Sequence, residues 1–63
     1  MKTQRFPTRS EAERYLAAQG YRFQGAPSRW RKPLPGRVVY AAVVQRGQAA
    51  IVVFTDPKDA PQA

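Results

Sequence analysis

Cations alternate with one aromatic ring in the segment Ser28-Arg29-Trp30-Arg31-Lys32. Arginine suits phosphate because its planar, weakly hydrated guanidinium makes paired hydrogen bonds, and a tryptophan ring can stack on a nucleobase. In an extended strand Arg29 and Arg31 share one face, whereas Trp30 lies on the other. The segment therefore fits two arrangements: Trp30 stacks on a base, or Trp30 packs in the core and both arginines face water.

The positive charge of the chain is concentrated in its middle. The 63 residues include Lys+Arg 11 and Asp+Glu 4, a formal charge of +7. No acid separates the cations from position 14 to position 46, which are Arg14, Arg22, Arg29, Arg31, Lys32, Arg37 and Arg46. Such a block is typical of nucleic-acid contact, but a solvated or protein-binding surface has the same composition. We expect no membrane partner, because the predicted helix lacks a basic amphipathic face.

The charge pattern favours a small, non-catalytic, basic nucleic-acid-binding module. DNA and RNA are not distinguished. The candidate phosphate-binding residues are Arg22, Arg29, Arg31, Lys32 and Arg37, and Trp30 is the candidate for stacking. The alternative is a small protein-interaction or regulatory accessory protein, of the kind found in phages and mobile elements, that associates through an apolar sheet face or edge.

The residues that most often carry out catalysis are absent. The chain has no His and no Cys, which removes the usual general base, the thiol nucleophile and the usual zinc ligands. Glu11 and Glu13 are two positions apart on a predicted helix and do not face each other, and no glycine-rich phosphate loop is present. We therefore expect no enzyme activity, no metal and no cofactor.

One N-terminal helix is predicted over residues 9–19. Thr8-Arg9-Ser10-Glu11 forms a capping box, and Ser10 with Glu13 offers a second one two residues later. Ala12, Tyr15 and Leu16 then follow helical spacing. Gly20 suits the left-handed position after a helix, with Tyr21 placed to contact Leu16 in a Schellman arrangement.

Strands are predicted for the rest of the chain. Residues 21–24 form a short strand that ends near Gly25, and a second covers 29–32, ended by Pro33-Leu34-Pro35-Gly36. The segments 37–45 and 48–55 form a hairpin, through either a two-residue loop (Arg46-Gly47) or the favoured three-residue loop (Gln45-Arg46-Gly47). The expected fold is α+β: one N-terminal helix on a three- or four-stranded antiparallel sheet with the C-terminal hairpin 37–55.

The length allows a single small domain over residues 1–63. We expect flexible ends at 1–7 and 57–63, because the first and last residues of a domain are often poorly ordered and the tail 58–63 shows no period. No apolar run approaches the 20 or so residues that span a bilayer and no export signal follows Met1, so we expect a cytoplasmic protein.

Both faces of the predicted hairpin are apolar. Val38, Tyr40, Ala42 and Val44 alternate with Val39, Ala41 and Val43, whereas a half-buried hairpin alternates apolar with polar residues. One helix covers one face only, so the other is either buried in a homodimer or against a protein partner, or is a tolerated patch of small residues. Tyr40 and Phe54 are expected in the sheet core.

The order helix, strand, strand, strand with a basic sheet is similar to the core of double-stranded-RNA-binding folds and of small toxin ribonucleases. The chain lacks the second helix of both and the histidine of the toxins. The stretch from Gly36 to Val43 does not match the RNA-recognition-motif octapeptide closely. We identify no family from the sequence.

Overall fold

The computed structural model of the protein describes residues 2–25 and 28–60. Its elements are β1 (Lys2–Phe6), α1 (Arg9–Ala18), β2 (Arg22–Gly25), β3 (Arg29–Leu34), β4 (Arg37–Arg46), β5 (Ala49–Phe54) and a 3-10 turn, Pro57–Asp59. The strands form one antiparallel sheet in the order β1-β5-β4-β3-β2. In the described part of the chain, no helix has the length and apolar character needed to cross a membrane.

Over these residues the fold is α+β with one helix and one antiparallel sheet, but the sheet has five strands rather than three or four. The additional strand, β1, precedes the helix and pairs with β5 from Lys2 opposite Phe54 to Phe6 opposite Ala50. The sequence did not predict β1 because Phe6 is its one apolar residue, so the strand shows no alternation of apolar and polar residues.

The ends of the described chain also differ from the expectation of flexible segments at 1–7 and 57–63. Residues 2–6 are paired in the sheet. Residues 57–59 form the 3-10 turn, and both Asp59 and Ala60 are buried. Met1 and residues 61–63 lie outside the described residues.

Local signals set both ends of α1. Thr8 is the N-cap, and its Oγ1 accepts a hydrogen bond from the Glu11 backbone N–H at 3.2 Å. At the other end Gly20 has a φ of +97°, and the N–H groups of Gly20 and Tyr21 donate to the carbonyls of Ala17 (3.1 Å) and Leu16 (3.0 Å). These two bonds are the Schellman pair predicted from Gly20.

The two candidate capping boxes can be separated by substitution. We expect Thr8→Ala to lower the free energy of unfolding by about 1 kcal/mol, since the Glu11 N–H loses its partner. In a domain of this size that is a fall of about 4–8 °C in Tm. Ser10→Ala is the control and should cost nothing, because Ser10 is exposed within the helix. An equal loss for Ser10→Ala would move the helix start to Ser10.

The hairpin loop differs from both predicted loops. Arg46 pairs with Ala49, so the loop is Gly47-Gln48. Gly47 has a φ of +61°, as a type II′ turn requires of its first central residue. Both predicted loops are therefore wrong, because both placed Arg46 within the turn, whereas Arg46 is the last residue of β4 and pairs with Ala49.

Strand β3 continues through Pro33, where the sequence predicted its end. Pro33 pairs with Val38 on β4. Strand β2 begins at Arg22, opposite Arg31, so at Pro33 the strand has a neighbour on one side only. Proline is tolerated at such an edge position.

The helix covers one face of the sheet and leaves the other uncovered. Leu16 of α1 packs on the covered face, where Phe54 and Val52 are the other largest fully buried side chains. The alternate residues form the second face, here called the open face. Cross-strand pairing places on it Thr3, Arg5, Arg22, Arg29, Arg31, Pro33, Val38, Tyr40, Ala42, Val44, Arg46, Ala49, Ile51 and Val53.

Candidate nucleic-acid interface

A row of three side chains crosses the open face from its β2 edge. Arg22 lies opposite Arg31, and Arg31 lies opposite Tyr40. Neighbouring strands are about 4.8 Å apart, so the three side chains leave the same face of the sheet from adjacent positions. Like charges placed directly opposite each other destabilise a sheet. This row therefore costs the folded protein stability unless an anion lies over it.

The arginines of the open face are unpaired within the described residues. No hydrogen bond or ion pair there involves the guanidinium groups of Arg5, Arg22, Arg29, Arg31 or Arg46. The carboxylates are elsewhere: Glu11 and Glu13 on the helix, Asp56 and Asp59 around the 3-10 turn. The open face is thus a basic surface to which the described part of the chain supplies no counter-charge.

A groove opens in the middle of this surface. It has a volume of about 410 Å³ and is lined by Gln24, Arg29, Trp30, Tyr40, Ala41, Ala42, Val53 and Thr55. The groove lies over the cross-strand row beside the one that contains Arg31 and Tyr40. In that row the small residue Ala42 lies between Arg29 and Val53. The missing side-chain volume at Ala42 leaves a depression that larger neighbours surround.

The phenol of Tyr40 borders this groove and is 47% exposed, so the expectation that Tyr40 lies in the core is wrong. Its backbone is held by Thr55: the Tyr40 N–H donates to Thr55 Oγ1 at 3.1 Å, and the Thr55 hydroxyl and N–H donate to the Tyr40 carbonyl at 2.8 and 3.1 Å. Phe54, the other aromatic residue expected in the core, is fully buried.

The predicted site residues divide between the two faces. Arg22, Arg29 and Arg31 are together on the open face, whereas Trp30, Lys32 and Arg37 have the opposite strand parity. Trp30 is 9% exposed, with its ring centroid 5.5 Å from that of Phe23. Of the two arrangements that fit the segment 28–32, the structure therefore has the one in which Trp30 packs in the core and Arg29 and Arg31 face outward.

Lys32 and Arg37 each have an acidic partner near the 3-10 turn. Lys32 Nζ donates to Asp59 Oδ1 at 2.6 Å, and Arg37 donates to Asp56 Oδ2 at 3.3 Å. Neither cation lies beside the arginines of the open face. The residues that the structure brings together are therefore Arg22, Arg29 and Arg31, joined by Tyr40 and Gln24, which the sequence did not single out.

Asp59 is the centre of a buried polar cluster on the covered face. Its Oδ2 accepts from the Tyr21 hydroxyl and its backbone carbonyl from the Tyr15 hydroxyl, both at 2.7 Å. Burial, followed by the contact with Asp59, raises the pKa of the Tyr21 hydroxyl. Burial works to raise the pKa of the Asp59 carboxyl too, but hydrogen bonds from Lys32 and Tyr21 outweigh it, and that pKa lies below its ordinary value. The cluster fastens the 3-10 turn to the domain.

Comparison with protein-family models, with curated proteins and with solved structures gave no match.

Proposed function

We propose that this protein is a small, non-catalytic nucleic-acid-binding module that works through the open face. The observation that supports this best is the row Arg22, Arg31 and Tyr40 on a surface to which residues 2–25 and 28–60 contribute no carboxylate. The facing guanidinium-bearing residues Arg22 and Arg31 carry like charges, and such a cross-strand pair destabilises a sheet. A polyanion bound over the row would neutralise that repulsion.

The chemistry of the row also favours phosphate as the partner. All five cations of the open face, Arg5, Arg22, Arg29, Arg31 and Arg46, are arginines. Their planar guanidinium groups make paired hydrogen bonds to phosphate. Because no carboxylate of the described residues pairs with them, binding an anion breaks none of the ion pairs in that part of the chain. The three acids in ion pairs, Glu13, Asp56 and Asp59, are committed to structural contacts, which supports a non-catalytic role.

Salt dependence tests this proposal. A labelled single-stranded 12-mer is titrated with the protein, and binding is followed by fluorescence anisotropy. If the five arginines each neutralise a phosphate, log affinity should fall with log salt at a slope of about −3.5, a loss of ~100-fold between 50 and 200 mM salt. Absence of binding at low salt with single-stranded DNA, RNA and duplex alike would refute the proposal.

A protein partner is the second candidate, and the exposed apolar side chains of the sheet favour it. Val38, Tyr40 and Val44 on the open face are 40%, 47% and 43% exposed. A second copy of the chain placed face to face would bring arginines against arginines, which opposes association. A protein bound there would have to be acidic, and its binding would be damaged by a charge placed at Val44. Sedimentation velocity tests a homodimer through any part of the sheet.

A further inference from the structure

We propose that the groove over Ala42 holds one unstacked nucleobase against the Tyr40 ring, so that the partner is single-stranded nucleic acid. This inference rests on the proposed function and makes it more specific. It is carried by the shape of the groove, by the exposed Tyr40 ring at its border and by the polar groups at the rim.

The groove has the dimensions and surface of a small-ligand site. Its volume of about 410 Å³ lies within the usual range of about 300–1,000 Å³. Ala42 and Val53 supply apolar surface, and the Tyr40 ring supplies a flat aromatic one. Thr55 holds the Tyr40 backbone on both its N–H and its carbonyl, so the ring projects from a hydrogen-bonded position of β4. A planar heterocycle matches such a surface by stacking.

Two polar side chains at the rim complement the edge of a base. The Gln24 amide both donates and accepts, and the Arg29 guanidinium donates. Gln24 lies where β2 shifts register against β3, between Phe23 and Gly25. Bulges of this kind redirect side chains, and here Gln24 lines the groove together with Arg29. Bases splayed out of a single strand are bound in this way, by stacking together with hydrogen bonds to their edges.

A duplex does not fit the same surface. Its bases are stacked on one another and present only their edges in the grooves. The major groove is about 12 Å wide and admits a helix or a two-stranded ribbon. The domain measures 36 × 28 × 19 Å, and Tyr40 lies on β4, the middle strand of five. The ring therefore reaches a base only where that base is free of its stack.

The test compares three 12-mers at one salt concentration: oligothymidylate or oligouridylate, the same strand with abasic sites in place of bases, and a duplex. The abasic strand keeps the phosphates and removes the stacking partner. We expect the base-bearing strand to bind about 5- to 150-fold more tightly than the abasic strand, the range for one stacked base.

Substitution at Tyr40 completes the test. Tyr40→Ala should abolish the preference for the base-bearing strand, and Tyr40→Phe should keep it, because stacking needs the ring and not the hydroxyl. Val44→Ala is the matched control, an exposed apolar residue of the same strand and face that does not line the groove. It should leave the preference unchanged.

Two other results would overturn the inference in distinguishable ways. Equal binding of abasic strand, duplex and base-bearing strand would refute base capture and leave phosphate binding by the open face intact. Failure of all three strands to bind at low salt would refute the proposed function and, with it, this inference.

Discussion

Asp59→Ala is expected to destabilise the protein by about 2–4 kcal/mol, the largest loss we predict for one polar side chain. The substitution leaves the Lys32 ammonium and the Tyr21 hydroxyl without their acceptor in a site where the Asp59 and Lys32 side chains are 11% and 15% exposed. Removing one partner of a buried pair costs more than the pair itself contributes. A 63-residue domain has a total stability of about 3–9 kcal/mol. Urea unfolding of both proteins measures the loss, with exposed Lys58→Ala as the control.

A double-mutant cycle isolates the contact between Lys32 and Asp59. Asp59→Asn removes the charge and keeps an acceptor for Tyr21, and Lys32→Met removes the ammonium and keeps the apolar stem. The loss of unfolding free energy in the double variant should be smaller than the sum of the two single losses by about 1–3 kcal/mol. Additive losses would show that the ion pair contributes nothing beyond its separate groups.

Acid should weaken the same cluster. The pKa of the Asp59 carboxyl is lowered in the folded protein from its ordinary 3.8, so the folded state favours the ionised form. This contribution is therefore complete above about pH 4 and is lost as the pH falls through the lowered pKa. Asp59→Asn should flatten the fall in unfolding free energy between pH 4 and pH 2. A fall equal to that of the parent protein would contradict this assignment.

The ends of the helix were predictable from the sequence because the signals there are local. The Thr8 cap and the Gly20 termination each depend on residues within one turn of the helix end. The cluster around Asp59 was not predictable in this way. Lys32 and Asp59 are 27 positions apart, and Tyr15 and Asp59 are 44 apart. The last residues of the chain have no apolar period, so nothing local indicates that Asp59 is buried.

The location of Tyr40 depended on one loop. A three-residue loop at residues 45–47 would pair Tyr40 with Val52 and bury both on the covered face. The observed loop, Gly47-Gln48, pairs Ala41 with Phe54 instead, which turns Tyr40 to the open face. A shift of one residue reverses every side chain of a strand. The sequence therefore indicated that one apolar face of the hairpin is not covered by the helix. It did not indicate that Tyr40 lies on that face.

The basic segment 28–32 was correctly divided by strand alternation, yet the choice between its two arrangements needed the fold. Strand parity put Arg29 and Arg31 on one face and Trp30 with Lys32 on the other. The covered face receives Trp30, because that is where the helix supplies apolar partners. Lys32 follows Trp30 to the same side and meets Asp59. Only half of the segment is thus available to an external anion.

Arg29→Glu combined with Arg31→Glu is expected to lower affinity for a single-stranded 12-mer by at least 100-fold. Each charge-assisted hydrogen bond contributes about 1.5–3 kcal/mol, and the introduced carboxylates also repel phosphate. The slope of log affinity against log salt should become less negative by about 1.4, since two phosphate contacts are lost. Anisotropy titrations at several salt concentrations measure both quantities.

The matched control changes net charge by the same amount away from the open face. Arg14→Glu with Lys58→Glu alters an exposed helix residue and an exposed residue of the 3-10 turn. If net charge alone attracts the nucleic acid, both double variants lose affinity equally. That result would remove the open face as the site and leave only non-specific attraction to a basic protein.

The same substitution should not weaken the fold, and this makes its effect on binding interpretable. Arg31 lies opposite Arg22 on the neighbouring strand, so a carboxylate at position 31 replaces a repulsive cross-strand pair with an attractive one. Such a change contributes about 0.2–1 kcal/mol in favour of the sheet. We therefore expect the double variant to unfold at an equal or higher urea concentration than the parent protein while it loses its ligand. Stability kept and binding lost together would indicate that the facing arginines serve an external anion, whereas a destabilised variant would mean that Arg29 or Arg31 supports the sheet itself.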